Sequence, residues 1–216
     1  MSASVKRTRI KFCGLMRSDD ALAAAALGVD AIGLIFAESS RRCLTVTTAQ
    51  AIAGALPPLI TRVGLFKDSE AESVRAVLAA VELDLLQFHG EESASFCAQF
   101  GKPWLKAVPM AALATAAELL AYLERHTAAA GFVFDSHGGD RLGGSGQVFD
   151  WRRLQLPLAR PMILAGGLHP GNVAQAILQL RPYAVDVSSG IESAPGSKDH
   201  AKMRAFVEEV RRAERD

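Results

Sequence analysis

Eight short apolar runs, near residues 9 to 13, 30 to 36, 61 to 66, 83 to 87, 103 to 108, 131 to 134, 161 to 165 and 184 to 188, alternate with longer stretches of helical spacing. Strands interleaved with helices build parallel sheets, because each crossover must return the chain to the same end of the sheet. Eight such units in 216 residues predict an α/β fold with one domain over residues 1–216, a single (βα)8 TIM barrel with a parallel eight-stranded sheet. The rival is a doubly wound open sheet, which usually has fewer strands and often a Gly-rich first turn. Here that turn is Cys13-Gly14-Leu15-Met16-Arg17, which lacks a dinucleotide fingerprint, and no Gly-x-x-x-x-Gly-Lys loop occurs. Helix starts are predicted at Ser18 before Asp19-Asp20, at Thr47 with Gln50, and at Ser69 with Glu72, the last two as capping boxes.

Half of the residues are hydrophobic, enough for a substantial core. The formal net charge is +1, from 24 basic and 23 acidic side chains mixed along the chain, so neither nucleic acid nor an anionic membrane is an expected partner. Any anionic ligand must be held locally. Cys13, Cys43 and Cys97 are too few and too scattered for a disulfide framework. They read as free thiols in a reducing compartment, which favours the cytoplasm. The first nine residues carry no apolar signal-peptide region, and Asp30 interrupts the Ala-rich stretch well short of a bilayer span, so a soluble protein is expected.

A barrel presents its chemistry at the C-terminal ends of its strands. Cys13 ends the first strand, and alternation puts Lys11 and Cys13 on one face with Phe12 on the other. Most cysteines are simply small apolar packing residues; a strand-end position raises the alternative of a base. A thiol with a pKa of about 8.5 is only about 3% thiolate at pH 7, so that role needs a lowered pKa or a proton path. Lys11 is one source of such a shift. In a closed barrel strand 8 lies beside strand 1, and Asp186 stands two residues before Ser188 as Lys11 stands two before Cys13. An inward Lys11–Asp186 ion pair follows, either helping to hold a thiolate or serving only the structure. Asp135 closes Gly131-Phe132-Val133-Phe134 and is either a turn former or a general acid. As an acid it must stay protonated far above its reference value of about 3.9.

Three glycine-rich stretches, Gly143-Gly144-Ser145-Gly146, Gly166-Gly167 with Gly171, and Ser188-Ser189-Gly190, let backbone amides approach an anion. The last two follow strands 7 and 8, where barrels commonly bind phosphate. Arg42 lies just beyond strand 2, where it is either a solvated charge or a partner for a substrate carboxylate. Gln87 and His89 share a face at the end of strand 4, and His89 reads as a hydrogen-bonded scaffold residue. The five histidines form no close ligand pair and there is no Cys-x-x-Cys, so no metal is expected. A Gly-x-Ser-x-Gly elbow for serine hydrolysis is lacking.

Taken in order, Lys11-Phe12-Cys13-Gly14-Leu15, Gln87-Phe88-His89-Gly90, Phe134-Asp135-Ser136, Gly143-Gly144-Ser145-Gly146, Leu164-Ala165-Gly166-Gly167-Leu168 and Val185-Asp186-Val187-Ser188-Ser189-Gly190, with Glu192, Pro195-Gly196 and Lys198-Asp199, closely resemble the phosphoribosylanthranilate isomerase family of tryptophan biosynthesis. The resemblance spans nearly the whole chain. It implies a barrel that converts N-(5-phospho-β-D-ribosyl)anthranilate to 1-(2-carboxyphenylamino)-1-deoxy-D-ribulose 5-phosphate by an Amadori rearrangement, with no metal or organic cofactor. It further implies Asp135 as general acid, Cys13 as general base, Arg42 on the anthranilate carboxylate, and phosphate among Gly144, Gly167, Ser188, Ser189 and Gly190. The partner implied is a small phosphorylated aminosugar, bound by a monomer or a homodimer.

Phe12, Phe88, Met16 and Arg41 depart from the family's usual residues. Arg41 stands where a Pro often precedes the family arginine, which leaves either Arg41 or Arg42 to hold the carboxylate. Competing readings are a related phosphate-binding barrel enzyme and a sugar-phosphate-binding barrel without turnover. Indole-3-glycerol-phosphate synthase should carry a catalytic lysine and an N-terminal extension, and ribulose-phosphate epimerases want His and Asp metal ligands at strand ends.

Overall fold

Every strand of the sheet pairs in parallel with its sequence neighbours, and the last returns to the first. In this computed structural model, which describes residues 7–136 and 149–215, the strands are β1 (Arg9–Cys13), β2 (Ala31–Ile35), β3 (Thr61–Phe66), β4 (Leu85–Phe88), β5 (Trp104–Pro109), β6 (Gly131–Asp135), β7 (Met162–Leu164) and β8 (Ala184–Val187). They close in the order β1 to β8. Closure sets Lys11 opposite Asp186, and the β1–β2 pairing sets Cys13 opposite Gly33. The expected barrel is thus present, with each strand within two residues of its expected bounds.

The helices are α1 (Ser18–Ala26), α2 (Val46–Ala55), α3 (Ala71–Ala80), α4 (Ala94–Ala98), α5 (Ala116–Glu124), α6 (Val173–Leu180) and α7 (His200–Ala213). After β6 the described chain resumes at residue 149 and makes a 3-10 turn, Trp151–Leu154; another, Ser189–Ile191, follows β8. A small antiparallel hairpin, β9 (Glu192–Ala194) and β10 (Ser197–Lys198), precedes α7. Among the described residues no helix is long and apolar enough to cross a membrane.

Strand alternation sorts the side chains into an inner and an outer layer. Phe12, Phe88, Phe132, Phe134, Val185 and Val187 turn outward into the large core beneath the helices. There Phe12 meets Phe206 of α7 edge-on, with ring centroids 6.0 Å apart. Leu105, Val133, Ile163 and Ala184 fill the barrel interior, and above them Cys13, Ile35, Ala37 and Leu65 form a separate inner cluster.

The helix starts differ from the sequence expectation. Arg17 rather than Ser18 occupies the cap position of α1 without a side-chain cap, while Asp19 and Asp20 lie in the first turn, where negative charge suits the helix dipole. Thr45, two residues before the expected Thr47, caps α2 by accepting from the Thr48 amide. Ser69 turns back toward the Lys67 carbonyl, and Glu70 takes the cap position of α3 without a side-chain cap. A full capping box does form, but at Thr115 and Glu118 on α5. The expected caps Thr47 and Ser69 lie two residues and one residue from the observed cap positions, which the strand-to-helix loops fix.

Candidate active site

The C-terminal end of the barrel opens into a cavity of about 600 Å³, including its solvent-filled mouth, lined by Cys13, Arg42, Gln87, His89, Asp135, Gly167, Asp186, Ser188 and Ser189 among others. Those residues come from β1, β4, β6, β8 and the loops after β2, β7 and β8. A concave site with a few convergent polar groups is the usual form of a small-molecule site.

Cys13 and Asp135 reach the cavity from strands separated by β7 and β8, so they face it from different sides, with the loops after β7 and β8 between them. Room for the thiol depends on Gly33 of β2: a Cβ there would stand 2.6 Å from the Cys13 sulfur. The expected pair below it is present, with Lys11 Nζ donating to Asp186 Oδ2 at 2.8 Å and both side chains buried. Burial pushes the thiol of Cys13 above its ordinary value; Lys11 pulls it back down, Asp186 adds to the rise, and Lys198 opposes it. Lys11 thus acts on the thiol in the expected direction without overcoming burial. In the empty site the desolvation of sulfur outweighs the ammonium, and the group is a thiol. Burial also works against the charge on Lys11, but Asp186 and Cys13 raise it overall, so this side chain stays an ammonium.

Because a base must be deprotonated to act, a raised thiol pKa predicts that kcat/KM climbs with pH above neutrality. Lys11→Met removes the main opposing influence and should move that rise to still higher pH, whereas Lys11→Arg, which keeps the charge, should move it little. A pH–rate profile checks this, and an unmoved limb in folded Lys11→Met protein would contradict the tuning.

Around Asp135 the wall is polar. His89 Nε2 lies 3.8 Å from Asp135 Oδ2, and His89 Nδ1 is 3.2 Å from Gln87 Nε2. If the amide of Gln87 donates to Nδ1, the proton of His89 resides on Nε2, facing the carboxyl group. His89 is thus hydrogen-bonded, as expected, but it also neighbours the acid candidate, which the sequence did not indicate. Gln87 Oε1 and Asp186 Oδ1 are buried with no partner among the described residues. Both residues line the cavity, and both oxygens can accept hydroxyl protons from a polyol.

The loops after β6, β7 and β8 touch through glycines of the last two. Gly166 and Gly167 adopt left-handed φ values of 78° and 69°, and a Cβ on Gly166 would lie 2.4 Å from the Ser136 amide nitrogen. A Cβ on Gly190 would lie 1.9 Å from the Leu168 carbonyl oxygen. Gly167, Ser188 and Ser189 line the cavity, while Gly190 supports it by letting the two loops pack together. Gly144 lies outside the described residues.

Of the two arginines after β2, Arg42 lines the cavity and Arg41 is exposed. The Arg42 side chain is not waiting alone: Nε and Nη2 donate to the two carboxylate oxygens of Glu192, each at 2.7 Å. Glu192 and its neighbour Lys198 were not singled out as site residues by the sequence. Isolated charges in a Gly- and Pro-containing loop read as solvent-facing, and only the fold turns them inward. Among the described residues no group of three or more His, Cys, Asp or Glu is arranged to hold a metal ion.

A family model described as N-(5'phosphoribosyl)anthranilate (PRA) isomerase matches residues 10–209. An N-(5'-phosphoribosyl)anthranilate isomerase of Stenotrophomonas maltophilia (strain K279a) is 50% identical over 214 residues, covering 99% of this chain and 98% of that one. The crystal structure of phosphoribosyl anthranilate isomerase from Thermus thermophilus superposes with a TM-score of 0.83 at 37% identity, covering 95% of this chain and 99% of the other. A phosphoribosyl anthranilate isomerase in complex with reduced 1-(o-carboxyphenylamino)-1-deoxyribulose 5-phosphate gives 0.79 at 32% identity, over 94% and 98% of the two chains.

Proposed function

Since the chain belongs to the N-(5'-phosphoribosyl)anthranilate isomerase family, we propose a division of labour for its reaction among the residues around the cavity. The protein is an isomerase of tryptophan biosynthesis, converting N-(5-phosphoribosyl)anthranilate to 1-(2-carboxyphenylamino)-1-deoxyribulose 5-phosphate. Asp135 gives a proton to the furanose ring oxygen, and the C1'–oxygen bond breaks to leave a protonated Schiff base. Cys13 then takes the proton from C2', the electron pair of that C–H bond neutralises the iminium, and an enolamine forms. Tautomerisation of the enolamine gives the ketone, so the net change is an internal shift of hydrogen with no outside oxidant.

The observation that carries this reading is that Cys13 and Asp135 open onto one cavity from β1 and β6, with the phosphate-type loops between them. One group that gives a proton, one that takes a proton and an anchor for a dianion are what the rearrangement requires. Arg42 takes the anthranilate carboxylate in preference to Arg41, because only Arg42 lines the cavity. The phosphate sits at Gly167, Ser188 and Ser189 beside Gly190, with Gly144 as a further contact. Because burial raises the Cys13 thiol, it gives up its proton to solvent before it takes the one from C2', and it ends that step as a thiol.

We also assign the protein to the cytoplasm, where its three free cysteines, Cys13, Cys43 and Cys97, stay reduced. It acts there as a monomer or homodimer on a small phosphorylated aminosugar, without nucleic acid. The test is direct. Purified protein, stripped of metal by chelator, is mixed with phosphoribosylanthranilate, and the substrate's fluorescence should decay to completion. Fluorescence that stays constant would remove the isomerase reading in favour of a binding barrel.

A further inference from the structure

Glu192, at the start of the β9–β10 hairpin, has no part in the proton transfers, yet it joins both anion-binding ends of the cavity. Its Oε1 accepts from Arg42 Nε at 2.7 Å and from Lys198 Nζ at 2.9 Å, and its Oε2 accepts from Arg42 Nη2 at 2.7 Å. The same Lys198 ammonium donates to the Ser188 carbonyl at 2.9 Å and reaches Ser188 Oγ at 3.4 Å. The side chains of Arg42, Glu192 and Lys198 are only 12%, 5% and 0% exposed. Nothing here resembles a loose surface pair.

A guanidinium has two forked edges, one from Nε and Nη2 and one from Nη1 and Nη2. Glu192 occupies the first, which leaves the second to a ligand. The arm of Arg42 is also fixed from below, since a Cβ on Gly14, next to Cys13, would lie 2.5 Å from Arg42 Cδ. We infer that Glu192 is the positioning residue for Arg42: it aims the free edge of the guanidinium at the anthranilate carboxylate and remains bonded to it when substrate is bound. The inference rests on the reading that Arg42 takes that carboxylate.

Two observations favour retention over displacement. Swinging Glu192 away would strand the buried ammonium of Lys198 without its carboxylate, and breaking a buried pair is costly. Burial works against charge on Glu192, but Arg42 and Lys198 still hold its carboxyl below the usual range, so it is an anion throughout the neutral region. A consequence is that selection for the ortho-carboxylate belongs to the Arg42–Glu192 unit rather than to a lone arginine, and that this unit is tied through Lys198 to the Ser188 loop.

Titration with two reduced product analogues, one bearing the ortho-carboxylate and one with a plain phenyl ring, tests this. The wild-type protein should prefer the carboxylated analogue. Glu192→Gln should cut that preference by roughly tenfold or more, the scale of a charge-assisted hydrogen bond, because the carboxylated analogue loses more affinity than the phenyl analogue, which shares only the phosphate end. Arg42→Ala should cut it as well, and the double variant should lose no more than Arg42→Ala alone. If Glu192→Gln fails to fold, Glu192→Asp serves: it keeps a charge for Lys198 but is one methylene too short to hold the fork, and it too should lose preference. A full preference in the Glu192 variants, or an equal loss for both analogues, would overturn the inference, the latter by showing only general support of the loop. A full preference in Arg42→Ala would overturn the carboxylate assignment beneath it, a separate failure.

Discussion

Cys13→Ala and Asp135→Ala are each expected to leave a folded barrel whose turnover falls by a factor on the order of a hundred or more, the usual contribution of a positioned acid or base. Folding should survive both changes. Cys13 sits in a small inner cluster with Ile35, Ala37 and Leu65, where losing one sulfur atom removes little packing. Asp135 ends β6 at the cavity wall, and its backbone carbonyl still accepts from the Met110 amide whatever the side chain. The two losses have different chemical origins: without Asp135 the furanose ring opens slowly, and without Cys13 the open Schiff base waits for its C2' proton to leave. Steady-state fluorescence decay measures turnover, and circular dichroism with a thermal melt checks the fold. Near-normal turnover in either folded variant would remove that residue from its role.

Lys106→Met should be the most damaging substitution for stability, about 3–5 kcal/mol, because it leaves a buried carboxylate without its cation. Lys106 is fully buried on β5 and donates to Glu92 Oε2 at 2.7 Å and to the Gly90 carbonyl at 2.5 Å. Glu92 is a junction: Oε1 accepts from the Asp68 amide at 2.8 Å, and Oε2 also accepts from the Gly90 amide at 2.9 Å. The loops after β3 and β4 are therefore tied through one carboxylate. Contact is close enough that a Cβ on Gly90 would lie 2.1 Å from Asp68 Oδ1, which accounts for glycine after His89. Urea unfolding gives the difference in stability. Adding Glu92→Gln to Lys106→Met should recover part of the loss, because a carboxamide keeps an acceptor and sheds the charge. A loss below about 1 kcal/mol would place this pair with exposed ones.

The barrel was legible because its signal is repeated and local. Each strand is a short apolar run, and eight of them with helical spacers leave few topologies. Closure then made one long-range contact readable, Lys11 with Asp186, since both stand two residues before a strand-end position on neighbouring strands. Cys13 and Asp135 stood out for the same reason, at strand ends. Glu192 and Lys198 did not, because their burial depends on the hairpin packing against Arg42 and Ser188, and nothing in Glu192-Ser193-Ala194-Pro195-Gly196 marks an inward turn. The protonation of Cys13 was also beyond the sequence. It depends on how burial weighs against an ammonium already engaged by Asp186, a balance set by distances rather than by residue types. Helix caps failed at Thr47 because the loop geometry selects the nearby Thr45, and at Ser69 because the chain enters α3 through Glu70 with no side-chain cap.

Cys13 and Asp135 are expected to act on one aminosugar from different walls of the barrel mouth. A crystal structure of the wild-type protein with reduced 1-(o-carboxyphenylamino)-1-deoxyribulose 5-phosphate tests it most directly. The Cys13 sulfur should lie within about 3.5 Å of C2', with Asp135 within hydrogen-bonding reach of the oxygen on C4'. The phosphate should lie on the Gly167 and Ser188–Ser189 loops and the carboxylate on Arg42. A ligand seated in the cavity with either Cys13 or Asp135 turned away from the sugar would contradict it.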